Sequence, residues 1–123
     1  RLNMLLAVLE KRCGYKLSQQ DVFVNIAGGL KVSDPATDLG IAASIVSSFE
    51  NLALPSRMVF AGEIGLSGEI RGVNRIDQRI KEAEKLGFKD FLCSDQLDLK
   101  KSEYAIKIHT IGNIRQVFDL VFN

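Results

Sequence analysis

The sequence predicts one α/β domain, a mixed sheet with packed helices. Three observations carry this expectation. Apolar stripes at helical spacing alternate with short β-branched runs. Glycine and proline punctuate the boundaries between them. The 123 residues suit one core, and a chain of that length buries roughly two thirds of its unfolded surface. Hydrophobic content of 46% and charged content of 25% match an ordinary globular domain.

Residues 2–13 are predicted as a helix, with Leu2, Leu5, Leu6, Leu9 and Cys13 on one side. Lys11 and Arg12 suit its negative end, and Gly14 is a natural stop. Residues 21–27 read as a strand. Val22, Val24 and Ile26 face one way, Phe23, Asn25 and Ala27 the other, before a break at Gly28-Gly29. Residues 36–50 read as a helix after Asp34-Pro35, since proline is tolerated at a helix start. Leu39, Ala42, Ala43, Val46 and Phe49, widened by Ile41 and Ile45, make it apolar nearly all round and therefore central. Residues 58–73 read as a hairpin: 58–61 leads in, 65–68 turns, and 70–73 leads out. A third helix is expected over 75–86, with Ile76, Ile80, Ala83 and Gly87 inward. A short strand at 91–93, a polar loop over 94–103 and a strand marked by Ile106 and Ile108 follow. The last helix starts near Asn113 with Gln116 as capping partner. Its apolar face is Ile114, Val117, Phe118, Val121 and Phe122.

Generic chemical signatures are few. Net charge is +1, so any basic patch must be local. Cys13 and Cys93 form no CxxC and read as small hydrophobes. No GxxxxGK[ST] occurs, and Gly65, Gly68 and Gly72 fall in the hairpin, not between strand and helix. His109 lies in a predicted strand and reads as structural, and Asp95 and Asp98 read as a solvated loop. No metal or cofactor is expected here. No apolar run reaches membrane-spanning length, so no membrane partner is expected and a cytoplasmic location is the expectation. Helical pattern begins at Arg1, as expected of a piece of a longer chain.

Pro35 to Lys89 resembles the catalytic core of the Lon proteases. The matches are Pro35 before a buried helix, Gly62-Glu63-Ile64, then Leu66, Gly68, Ile70 and Val73, and a helix closing with Gly87 and Lys89. The resemblance implies a Lon proteolytic-domain-like fold, in the class of the second domain of ribosomal protein S5. It also places the peptidase nucleophile at Ala36 and the general-base lysine at Arg79. Alanine offers no nucleophile, and a guanidinium stays protonated. A serine–lysine dyad needs both an attacking oxygen and a base that can deprotonate. The expectation is a proteolytically inactive domain with no catalytic residues. Thr37 and Lys81 are the substitutes an unusual dyad would use.

Within that superfamily the chain resembles the RadA/Sms DNA-repair family. The runs that carry this are Arg1–Lys11, Val24–Lys31, Asp34–Leu39, Gly62–Arg71 and Lys85–Lys89. The resemblance implies an upstream zinc finger and RecA-like ATPase, which would need zinc, ATP and magnesium. It implies a hexameric ring of like chains, DNA and a recombinase as partners, and ATP-driven branch migration in recombinational repair.

Basic residues cluster at Arg71, Arg75, Arg79, Lys81, Lys85 and Lys89, with Arg75 and Arg79 four apart on one expected helical face. Lys31 precedes the Ala36 element. Lys31, Arg71, Arg75 and Arg79 are the candidate nucleic-acid contacts, through phosphate rather than bases. Glu69, Asp77, Glu82 and Glu84 interleave with the cluster, so a solvated, salt-bridged face stands beside that reading. Three functions follow: an inert scaffold that holds DNA for an attached motor, an oligomerisation module alone, or a peptidase with an unusual dyad.

Overall fold

The computed structural model describes residues 1–18, 20–21 and 34–122. The predicted strand over 21–27, the Gly28-Gly29 break and Lys31 therefore fall wholly or almost wholly outside the described residues. Helix α1 is Leu2–Cys13. A single 3-10 turn, Pro35–Thr37, leads into α2, Asp38–Glu50. Then come β1 (Met58–Phe60), β2 (Glu63–Ile64), β3 (Ile70–Arg71) and α3 (Ile76–Lys85). β4 (Asp90–Ser94), a 3-10 turn at Lys101–Glu103, β5 (Lys107–Ile111) and α4 (Ile114–Val121) complete an α/β fold.

Helix ends follow local chemistry. Gly14 takes a left-handed conformation, φ 77°, and its N–H caps the Glu10 carbonyl. At α4 the Asn113 side chain accepts from the first turn while Gln116 reaches back to the Asn113 N–H at 3.0 Å.

The sheet separates two cores. β4 sits between β1 and β5, parallel to both, with Met58 beside Asp90 and Asp90 beside Lys107. Alternation then sends successive residues to opposite faces. Leu92 and Ile111 pack with Leu5, Leu9, Leu39, Val46, Val117 and Phe118 from α1, α2 and α4. Phe91, Cys93 and Ile108 pack with Ile80 and Ala83 of α3. The result is α3, sheet, then the other three helices.

Two sequence expectations need correction. The segment 58–60 is not the lead-in strand of a hairpin; it joins the parallel sheet, with Val59 beside Phe91. Only Glu63–Ile64 and Ile70–Arg71 pair with each other. Packing accounts for this: β1 lies against the fully buried Phe91 and Leu92 of β4, a neighbour that a solvent-facing ribbon would not give it. Arg75 is also not on the helix face of Arg79. It is the left-handed residue before α3, φ 56°, and its carbonyl accepts the Arg79 N–H at 3.0 Å.

Candidate functional site

The head of α2 is locked into the hairpin. The Asp34 side chain accepts the Ala36 N–H at 3.0 Å and so starts the turn that Pro35 favours. The Ala36 carbonyl accepts from the Gly62 N–H, and the Gly62 carbonyl accepts from the Leu39 N–H, both at 3.1 Å. Only glycine suits position 62, because an added Cβ would lie 2.9 Å from Ile70 and 3.3 Å from Leu39. Ala36 is buried, 5% exposed.

Asp38 follows, fully buried. Such a carboxylate requires partners. Arg1 supplies two: its Nε donates to Oδ1 at 2.9 Å, and its Nη2 pairs with Oδ2. The Ile64 N–H donates to Oδ2 at 3.1 Å. The hydrogen bond to Asp38 pushes the Arg1 guanidinium above its ordinary pKa, against the pull of burial. From there charges alternate along the hairpin. Glu63 lies 3.8 Å from both Arg1 and Arg71, and Arg71 pairs with Glu69 at 3.1 Å. That hydrogen bond from Arg71 is the main cause holding the Glu69 carboxyl below its usual value.

The two positions that the Lon resemblance assigns to the dyad meet through Asp34. One Asp34 oxygen caps Ala36, and the other lies 3.7 Å from Arg79. The Arg79 fork also closes on Asn74, with Nε donating to its carbonyl at 2.9 Å and Nη2 to its side chain at 3.2 Å. Thr37 Oγ donates to the Asp34 carbonyl at 2.8 Å, and Lys81 pairs with Asp77 at 3.1 Å. Among the described residues no hydroxyl is hydrogen-bonded to a lysine, and no group of acids, cysteines or histidine could hold a metal.

Of the candidate DNA contacts, Arg71 and Arg79 are in ion pairs, Arg75 is exposed, and Lys31 lies outside the described residues. Sequence reasoning missed the Arg1–Asp38 pair. Its signal was an aspartate at the start of a helix that is otherwise apolar nearly all round. His109 Nε2 lies 2.8 Å from Asp90 Oδ1.

Residues 4–96 match the model of a family described as subunit ChlI of Mg-chelatase. A DNA repair protein RadA of Halalkalibacterium halodurans is 55% identical over 96 residues, covering 78% of this chain and 21% of that protein. The RadA of Chlamydia muridarum is 48% identical over 122 residues, covering 98% and 27%. That of Streptococcus pyogenes is 42% identical over 127 aligned residues, covering 100% and 27%. The chain thus spans about a fifth to a quarter of the length of the curated relatives it matches. With three quarters of its length inside it, the chain belongs to the family described as subunit ChlI of Mg-chelatase, and proteins named DNA repair protein RadA align along most of it.

Proposed function

We propose that this chain is a proteolytically inert, Lon-like domain of a RadA-type DNA-repair protein, serving as a ring-forming scaffold and DNA platform for an attached ATP-dependent motor. One observation carries the inert reading. The nucleophile position is a buried methyl group, and the base position is a guanidinium held by Asp34 and Asn74. Neither can exchange a proton with a peptide bond. The alternative dyad finds no support, since Thr37 and Lys81 each have a different local partner.

The role in DNA repair rests on the names of the relatives. Branch migration, the hexamer, a recombinase partner, and the upstream use of ATP, magnesium and zinc rest on the family resemblance, as does a cytoplasmic location. Among the described residues no helix is long and apolar enough to cross a membrane. Lys31, Arg71, Arg75 and Arg79 remain the candidate phosphate contacts from sequence, and Arg75 stands out because it makes no ion pair among the described residues.

Two measurements test the reading. Sizing at several concentrations should show a ring-sized assembly, and a labelled duplex should bind with salt-dependent affinity. Assembly without salt-dependent DNA binding would leave an oligomerisation module alone.

A further inference from the structure

We propose that the N-terminal edge of the parallel sheet is a phosphate-contact surface for duplex DNA, formed by Arg57, Lys89 and Lys107. This rests on the DNA reading above and names a surface that reading left unassigned.

The strand register builds the row. Met58, Asp90 and Lys107 lie side by side. Arg57 and Lys89 immediately precede their strands, and Lys107 opens its own. Neighbouring strands lie about 4.8 Å apart. Lys107 is level with Asp90, one residue on from Lys89, so the cations bracket the end of the sheet rather than share one face. Lys89 and Lys107 line one groove there, where a phosphate backbone crossing the edge can meet these long side chains. The main chain ties them together: the Lys89 N–H donates to the Arg57 carbonyl at 2.9 Å, and the Lys107 N–H to the Lys89 carbonyl at 3.1 Å. Arg57 is further anchored, its Nη1 donating to the Gly87 carbonyl at 3.4 Å. All three cations are exposed. Sheet-anchored positions cost less ordering entropy on binding than loop positions do.

Charge accounting favours this edge over the hairpin. Among the described residues, Arg57, Lys85, Lys89 and Lys107 make no ion pair, whereas Arg71 and Arg79 do. Two acids approach. Asp90 is engaged by His109 at 2.8 Å. Glu84 lines the shallow groove of about 330 Å³ between Lys89 and Lys107, with one carboxylate oxygen withdrawn from solvent. The cations form the exposed rim, where a phosphate would arrive. A sequence scan finds Lys85 and Lys89 but not Arg57 and Lys107, because only the parallel register brings them alongside.

The test is fluorescence anisotropy of a labelled duplex at several salt concentrations, with circular dichroism to confirm folding. The parent chain, Arg57→Ala/Lys89→Ala/Lys107→Ala and Arg71→Ala/Arg75→Ala are compared. Each lost phosphate contact removes about 0.9 from the slope of log affinity against log salt. The edge variant should therefore lose affinity and about 2.7 of that slope, while the hairpin variant keeps most of both. An edge variant that titrates like the parent, with the hairpin variant weakened, would overturn this surface and leave the DNA reading standing. A parent chain that binds polyglutamate but no duplex, or binds neither, would overturn both.

Discussion

The head of α2 and the N-terminal edge of the sheet use the same kinds of charged side chain in opposite ways. At the head of α2 nearly every charge is spoken for: Arg1 by Asp38, Arg79 by Asp34, and Arg71 by Glu63 and Glu69. At the sheet edge Arg57, Lys89 and Lys107 stand exposed at or just before the starts of three adjacent strands. A buried charge makes the fold depend on its partner, because removing that partner is costly, whereas exposed like charges close together suit a partner of opposite sign. In the proposed reading, the position that the Lon resemblance assigns to catalysis is structural here, and a different face is offered for binding.

The comparison predicts where substitutions hurt. The largest effect is expected for Asp38→Ala, which strands the Arg1 guanidinium and the Ile64 N–H. Breaking a fully buried pair costs about 3 to 5 kcal/mol; with the Arg1 side chain 30% exposed and Glu63 3.8 Å away, a loss at the low end, about 3 kcal/mol, is expected, read as a lower midpoint in urea. Gly62→Ala forces a methyl against Ile70 and Leu39 and should cost about 1 to 3 kcal/mol by overpacking. Asn113→Ala removes the α4 cap and should cost about 1 kcal/mol. Arg79→Ala should cost at most about 1 kcal/mol, because its pair with Asp34 is solvent-screened. The edge substitutions should stay within about 0.5 kcal/mol of the parent. An unfolding series that reversed this order would break the contrast between a structural cleft and a free edge.

Titration sharpens the same contrast. Burial beneath α3 pushes the Cys93 thiol up to about 11. Its thiolate is then scarce at neutral pH, so Cys93 should react with a disulfide reagent slowly until the chain unfolds. On the exposed side of α3, the hydrogen bond to Asp77 pushes the Tyr104 phenol up to about 12 and holds the Asp77 carboxyl down. Absorbance titration should place Tyr104 about two units above an ordinary tyrosine, and Asp77→Asn should return most of that shift. The sign follows: deprotonating Tyr104 is disfavoured in the folded chain, so this contact is lost as pH rises from about 10 through 12.

Local chemistry was legible in the sequence. Leu5 and Leu9 marked the buried face of α1, Gly14 its stop, and Asn113 with Gln116 the start of α4, because each signal lies within a turn or two of its effect. Pairings across long separations were not. Nothing near Met58–Phe60 says that its partner is Phe91, and nothing near Arg1 says that it closes on Asp38. Arg75 misled for a different reason. Spacing by four assumes helical backbone, and its left-handed conformation ends that periodicity one residue before α3 begins.

The claim on which the account turns is that Ala36 and Arg79 leave no peptidase behind. Casein hydrolysis by the parent chain and by Thr37→Ala measures it. Neither should give turnover above the uncatalysed background. Turnover by the parent that Thr37→Ala abolishes would show that a hydroxyl still attacks at the head of α2, and would contradict the inert scaffold.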